Sequence, residues 1–293
     1  MSQTPEKDEI ETTGHSWDGL EEYNNPLPRW WLWTFYATLI WGLLYTIAYP
    51  AWPLVNGATE GFLGFSTRQN VADDIAAVDA QNAGNMEALA NIELASLSDN
   101  NELQGFAVNA GKAIFVANCS QCHGTGGAGV QASGYPNLLD DSWLWGGSID
   151  DIAFTVAHGI RNEQSDEARW SEMSAYGEIF TEEEIAQSVA YVQSISGQDH
   201  DAGLAAAGAV LFEENCSSCH GEDGMGDREQ GAPNLTDAIW LYGGSEEKLT
   251  ETLVNGRFGV MPAWSEDYRI GSGLSQAEIN AVAAYVHQLG GGE

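Results

Sequence analysis

The run AGKAIFVANCSQCHG at residues 110–124 returns at residues 207–221 as AGAVLFEENCSSCHG. The same offset of 97 residues carries PNLLDDSWLWGGS, from Pro136, onto PNLTDAIWLYGGS, from Pro233, and an offset of 94 carries EEIAQSVAYVQSI onto AEINAVAAYVHQL. Self-similarity of this extent marks two copies of one structural unit. Each copy reads in the same order: a helix ending at the cysteines, a Gly-rich loop, a Pro-Asn-Leu turn, a middle helix, and a last amphipathic helix such as 278–289. No alternating strand pattern is present in either copy, so an all-α fold is expected.

All four cysteines fall in two Cys-x-x-Cys-His runs, Cys119 to His123 and Cys216 to His220. Two thiols three residues apart on one helical turn can form thioethers with the two vinyl groups of a haem, and the adjacent histidine then lies beneath the iron as its proximal ligand. Competing readings are weaker. A structural zinc site needs further thiols or imidazoles close by, and the two pairs sit in separate copies. A thioredoxin-like redox pair calls for a βαβ context that is absent.

A low-spin electron-transfer haem needs a sixth ligand, and a methionine thioether is the soft donor that raises the reduction potential. Of five methionines, Met1 and Met86 lie outside the repeats, and Met225 follows Cys219 by only six residues. Met261, 45 residues after Cys216, and Met173, 54 residues after Cys119, are left as candidates, and His158 is a rival in the first copy. Which methionine serves which haem stays open. Holding each imidazole in one tautomer calls for a carbonyl acceptor, and Pro136 and Pro233 are positioned to supply it. Trp143 and Trp240, with Leu138 and Leu235, are expected to wall the pockets, and Arg161 or Arg257 to meet a propionate.

From Trp30 to Tyr49 the chain reads WWLWTFYATLIWGLLYTIAY, twenty residues without an ionisable charge. At 1.5 Å rise per residue such a stretch spans about 30 Å of hydrocarbon, and its flanking tryptophans and Tyr49 form aromatic belts. The 29 residues ending at Arg29 hold seven acids, Lys7 and Arg29, and no small-residue cleavage site follows the apolar stretch, so an anchor is expected rather than a cleaved signal. Haem c is attached outside a bacterial inner membrane, so the repeats are expected in the periplasm and the N-terminus in the cytoplasm.

Forty-three acidic residues against ten basic ones give a formal net charge of −33. A surface of that sign repels phosphate backbones, which excludes nucleic acid as a partner, and suits a basic electron donor. The 34 glycines show no three-residue period and mark loops, not collagen. The expected division is a cytoplasmic tail over 1–29, an anchor over 30–53, a partly helical periplasmic spacer over 54–105, and cytochrome c domains over 106–197 and 203–293. Within the spacer, 71–97 is rich in Ala, Asn, Asp and Glu and is read as providing distance.

The run DGLEEYNNPLPRWWLWTFYATLIWGLLYTIAYPAWP, residues 18–53, followed by two Cys-x-x-Cys-His repeats, resembles the dihaem CcoP/FixP subunit of cbb3-type cytochrome c oxidases over nearly the whole chain. The resemblance implies two tandem class I cytochrome c domains with two covalently bound haems c. It matches the thioether cysteines to Cys119, Cys122, Cys216 and Cys219, and the axial ligands to His123, Met173, His220 and Met261. The departure is Ser174 after Met173, where a proline is more usual. It further implies a subunit that is not itself catalytic. Such a subunit passes electrons from a periplasmic cytochrome c or other donor toward a haem b/copper catalytic subunit, in a proton-pumping complex that also holds a monohaem cytochrome c subunit. A dihaem peroxidase would need an open iron position, against which the two methionines argue. A dihaem cytochrome serving another respiratory complex would not call for this anchor motif.

Overall fold

The computed structural model describes residues 11–293, so the first ten residues of the tail expected over 1–29 lie outside the described residues. The chain forms two compact units, one ending at Ala80 and one running from Gln81 to Glu293.

In the first unit, β1 (Thr12–Trp17) and β2 (Leu20–Tyr23) make an antiparallel hairpin within the tail. Its turn is Asp18-Gly19, with φ of 52° and 84°. Two positive φ values are what a two-residue hairpin loop requires, and Asp-Gly is the pair that adopts them cheaply. Helix α1 (Arg29–Ala48) then runs for 20 residues with no buried side chain and a mean hydropathy of 1.3 over its most apolar window, enough in length and composition to cross a bilayer. The carbonyls of Ile47 and Ala48 at its end accept from Phe62 and Leu63 at 2.8 and 3.0 Å, because the chain folds back through a small hairpin, β3 (Pro53–Leu54) with β4 (Gly57–Ala58).

Helix α2 (Thr67–Asn91) occupies most of the spacer. Its last turns belong to the second unit, where Leu89 is fully buried among Leu97, Leu103, Ala277 and Ala281, and the Asn280 amide donates to the Leu89 carbonyl at 2.8 Å. The expectation that 71–97 only provides distance is therefore corrected: its end is part of the packed core. A short 3₁₀ turn, Leu94–Asp99, leads into the repeats.

The first repeat supplies α3 (Asn101–Ile114), a π-type turn from Phe115 to Cys119, α4 (Ser120–His123), α5 (Ile149–His158) and α6 (Glu182–Ile195). The second supplies α7 (Ala202–Asn215), α8 (Ser217–His220), α9 (Glu246–Asn255) and α10 (Gln276–His287). Equivalent helices start on equivalent caps: Ser148 accepts from Asp151 N–H at 3.1 Å and Ser245 from Lys248 N–H at 3.3 Å, while Thr181/Glu184 and Ser275/Glu278 form reciprocal capping boxes.

The repeats do not fold back on themselves. Helix α10 packs on α3 and α5, whereas α6 packs on α7 and α9. One packed half is therefore contiguous, about 170–257, and the other is assembled from 81–160 and 260–290. The first half's core of Phe115, Ile152, Val156, Ile279, Val282 and Val286 mixes both repeats, as does the second's, with Ile185 and Val189 against Leu253. The physical reason is local. Only the short segment from Ser196 to Asp201 separates α6 from α7, so this pair closes as a helical hairpin with little loop entropy to overcome.

The chain crosses between halves twice, side by side. Ile160 and Met261 exchange backbone hydrogen bonds at 2.9 and 3.0 Å, and Met173 and Arg257 do so at 3.2 and 3.0 Å. Arg161 sits at the crossing with φ of 48°, and its guanidinium donates to the Gly259 carbonyl at 2.6 Å and the Ser171 carbonyl at 2.5 Å, tying the two passages together.

Candidate functional site

Each half encloses one apolar cavity against its Cys-x-x-Cys-His motif. The first, about 760 Å³ with its mouth included, is lined by Cys119, His123, Pro136, Leu138, Trp143 and Met261. The second, about 1400 Å³ on the same measure, is lined by Cys216, Cys219, His220, Pro233, Trp240 and Met173. Each methionine thus stands in the cavity of the other repeat's histidine. The sequence leaves this assignment open, and the helix exchange settles where the side chains lie.

His123 Nδ1 lies 3.3 Å from the Pro136 carbonyl oxygen, and His220 Nδ1 lies 3.1 Å from that of Pro233. A carbonyl only accepts, so Nδ1 carries the hydrogen and Nε2 keeps its lone pair for a metal. Burial pushes both imidazoles below their usual basicity, partly offset by these bonds, which keeps them neutral and able to ligate. Gly-rich loops pack against both prolines: Gly129 (φ 67°) and Gly226 (φ 82°) donate to the carbonyls of His123 and His220 at 2.9 and 2.7 Å. A Cβ on Gly129 would overlap the Pro136 carbonyl, and one on Gly226 would strike Pro233, so no larger residue fits either loop.

None of the four cysteines is in a disulfide. Burial pushes the Cys119 and Cys216 thiols up to about 11, whereas Cys122 is exposed. Among the described residues no three His, Cys, Asp or Glu side chains converge as a metal-ion site, so a zinc reading lacks its ligands. Two thiols, an imidazole with a free Nε2, a thioether sulfur and apolar walls are a donor set that fits a c-type haem.

Trp143 donates its indole N–H to the Gly291 carbonyl, and the Trp240 carbonyl accepts from Gln131 at 2.7 Å across the repeats. Leu138 lines the first cavity and Leu235 the second. Arg161 and Arg257 both line the second cavity and neither lines the first. Arg257 is already paired with Glu251 at 3.1 Å and stacked over Tyr242 at 4.3 Å. His158, the rival ligand, lines neither cavity; its Nδ1 lies 3.0 Å from the Tyr268 hydroxyl and its Nε2 3.6 Å from Glu167.

Sequence reasoning passes over several lining residues. Leu144 lines both cavities, Tyr176 and Val189 reach the second from the first repeat, and Val282 and Val286 reach the first from the second. Trp145 lines the first cavity and Tyr242 the second, and the only signal for this pair is that both repeats keep an aromatic residue at the same offset.

Comparison with known proteins matches the N-terminal segment and the two repeats. Residues 9–56 match the N-terminal domain of cytochrome oxidase-cbb3, FixP, and residues 108–196 and 205–290 each match the cytochrome c family. The chain is 55% identical to the cbb3-type cytochrome c oxidase subunit CcoP of Cereibacter sphaeroides, over 100% of both chains. It is 50% identical to the CcoP subunit of Rhodobacter capsulatus, again over 100% of both. With the FixP subunit of Rhizobium meliloti it shares 47% identity over 97% of this chain and 96% of the relative.

Proposed function

The chain belongs to the CcoP/FixP family of cbb3-type cytochrome c oxidase subunits, and we propose that it acts there as a membrane-anchored dihaem cytochrome c. In this reading it relays electrons from a periplasmic or membrane donor to the haem b/copper catalytic subunit, alongside a monohaem cytochrome c subunit. The observation that carries the proposal is that each of two cavities is lined by the histidine and at least one cysteine of a Cys-x-x-Cys-His motif, Cys119 and His123 in the first and Cys216, Cys219 and His220 in the second, together with one methionine.

Bound haem supplies a one-electron iron couple at each site. The chain's own residues do the rest. Cys119 with Cys122, and Cys216 with Cys219, would hold the two groups covalently. His123 and His220, each held in one orientation by a proline carbonyl, would be the proximal ligands. Met261 would serve the first site and Met173 the second, each from the other repeat. Apolar walls around Leu138 and Leu235 exclude water and favour a soft, low-spin centre, while Arg161 and Arg257 place positive charge on the second site. A methionine at each cavity would fill the sixth position of a bound haem, which suits electron relay with oxygen reduction on another subunit.

Covalent haem attachment puts the second unit in the periplasm, with α1 in the inner membrane and the N-terminus in the cytoplasm. A net charge of −33 suits a basic donor, whose encounter rate it raises. Mild-detergent extraction with identification of co-purifying chains tests the proposal. The expected result is two covalent haems c per chain together with a haem b/copper subunit; recovery of the dihaem chain with a different respiratory complex would overturn it.

A further inference from the structure

Past the end of α1 the chain leaves the apolar span only to return to it. Pro50 stops the helix, and the Phe62 and Leu63 N–H groups donate to the Ile47 and Ala48 carbonyls at 2.8 and 3.0 Å. These are the bonds that the N–H groups of residues 51 and 52 would make in a continuing helix. Gly61, with φ of 75°, makes the return possible, because a Cβ there would overlap the Ala48 carbonyl and Tyr49. The excursion between is closed on itself. The β3–β4 hairpin pairs Leu54 with Gly57, Thr59 N–H donates to the Trp52 carbonyl at 2.9 Å, and the Thr59 hydroxyl accepts from Trp52 N–H at 3.1 Å. Tyr49 meets Phe65 edge to face at 5.4 Å.

Backbone bonds close this return, while its side chains avoid water. Trp52, Leu54, Val55, Phe62, Leu63 and Phe65 are all exposed, Val55 fully and Phe62 at 89%. Residues 50–67 carry one charged side chain, Glu60. A single exposed apolar side chain is ordinary, but this many on one pinned loop mark a surface that something covers.

We propose that residues 50–66 form an interfacial foot, seated in the headgroup and upper acyl layer of the bilayer at the C-terminal end of α1. Phospholipid is the occupant because the foot is continuous with the exposed apolar surface of α1: its backbone stands on the last turn of that helix and shares its depth. The 20 uncharged residues 30–49 span about 30 Å of hydrocarbon, which brings the foot to the interface, where Trp, Phe and Leu partition and a lone acid stays wet. A helix end at that depth needs its orphan carbonyls bonded by the chain, which the return provides. The foot thereby fixes how deep α1 sits, since sliding the helix either way carries six apolar side chains out of their layer. This rests on α1 crossing the membrane and not on the dihaem reading.

The test uses the full holo-chain in phosphatidylcholine nanodiscs, with a nitroxide on a cysteine introduced by Val55→Cys or Phe62→Cys, by Ile40→Cys within α1, or by Glu87→Cys, exposed on α2. Power-saturation EPR compares collisions with oxygen, which concentrates in lipid, and with a nickel chelate, which stays in water. Labels at 55 and 62 are expected to favour oxygen, with apparent depths between those at 40 and 87. Nickel-favouring labels at 55 and 62 that match the one at 87 would overturn the proposal, and Leu63→Cys gives the same reading should Phe62→Cys disturb the return. Labels immobilised and shielded from both reagents in the chain extracted with its partner subunits would overturn it too, because a protein would then cover the surface. A nickel-favouring label at 40 would instead remove α1 from the membrane, and labelling of the wild-type chain would count against the dihaem reading alone.

Discussion

At the scale of single residues, each site depends on an imidazole whose Nδ1 is occupied by a proline carbonyl, at 3.3 Å for His123 and 3.1 Å for His220. On the proposed reading, replacing His220 by alanine removes the proximal ligand of the second site alone. Magnetic circular dichroism of that variant is expected to show the low-spin His/Met signature at half its normal strength, with the first site unaltered; a full-strength signature would mean that His220 is not a ligand. Most of these residues are legible in the sequence, because a Cys-x-x-Cys-His motif states its chemistry in five letters and the Pro-Asn-Leu turn repeats beside it. Trp145 is not legible, because its place in the wall of the first cavity exists only once the chain has packed. His158 illustrates the opposite error: near a haem motif in sequence, it is engaged by Tyr268 and Glu167 in space.

Among the elements, the close approach of helices decides which surfaces meet. Gly111 on α3 and Gly208 on α7 are equivalent positions, and a Cβ on either would overlap a carbonyl of the helix it touches, Ala281 on α10 and Gln187 on α6. Gly208→Val is therefore expected to force α6 from α7 and destabilise the second half by about 1–3 kcal/mol or more, the usual cost of overpacking. Thermal unfolding followed by haem absorbance measures this, and an unchanged midpoint would show that the two helices do not pack as described. The helices themselves, their caps and the apolar span are readable from periodicity and capping residues. Two elements escape. The tail hairpin is signalled only by Asp18-Gly19 between short exposed strands, and Leu89 docks from a helix of low mean hydropathy whose other apolar residues Val71, Ile75 and Val78 are exposed, so the pattern does not single it out for burial.

Over the whole molecule, the duplication is plain in the sequence but the exchange is not, for a simple reason. Two copies with the same apolar pattern offer each C-terminal helix two equivalent partners, and pattern alone cannot choose between them. The choice comes from connectivity: the short link from α6 to α7 makes a hairpin between repeats, and the two crossing segments then pair at Ile160 with Met261 and at Met173 with Arg257. As a result each candidate haem cavity is lined by a methionine from the other repeat. The most direct measurement leaves one haem in the full chain, on Cys119 and Cys122, by replacing Cys216 and Cys219 with alanine, and then exchanges each methionine for histidine in turn. The near-infrared charge-transfer band of methionine-ligated ferric haem and the reduction potential report the sixth ligand. The account predicts that Met261→His abolishes the band and lowers the potential while Met173→His leaves both unchanged; loss of the band in Met173→His with none in Met261→His would contradict it.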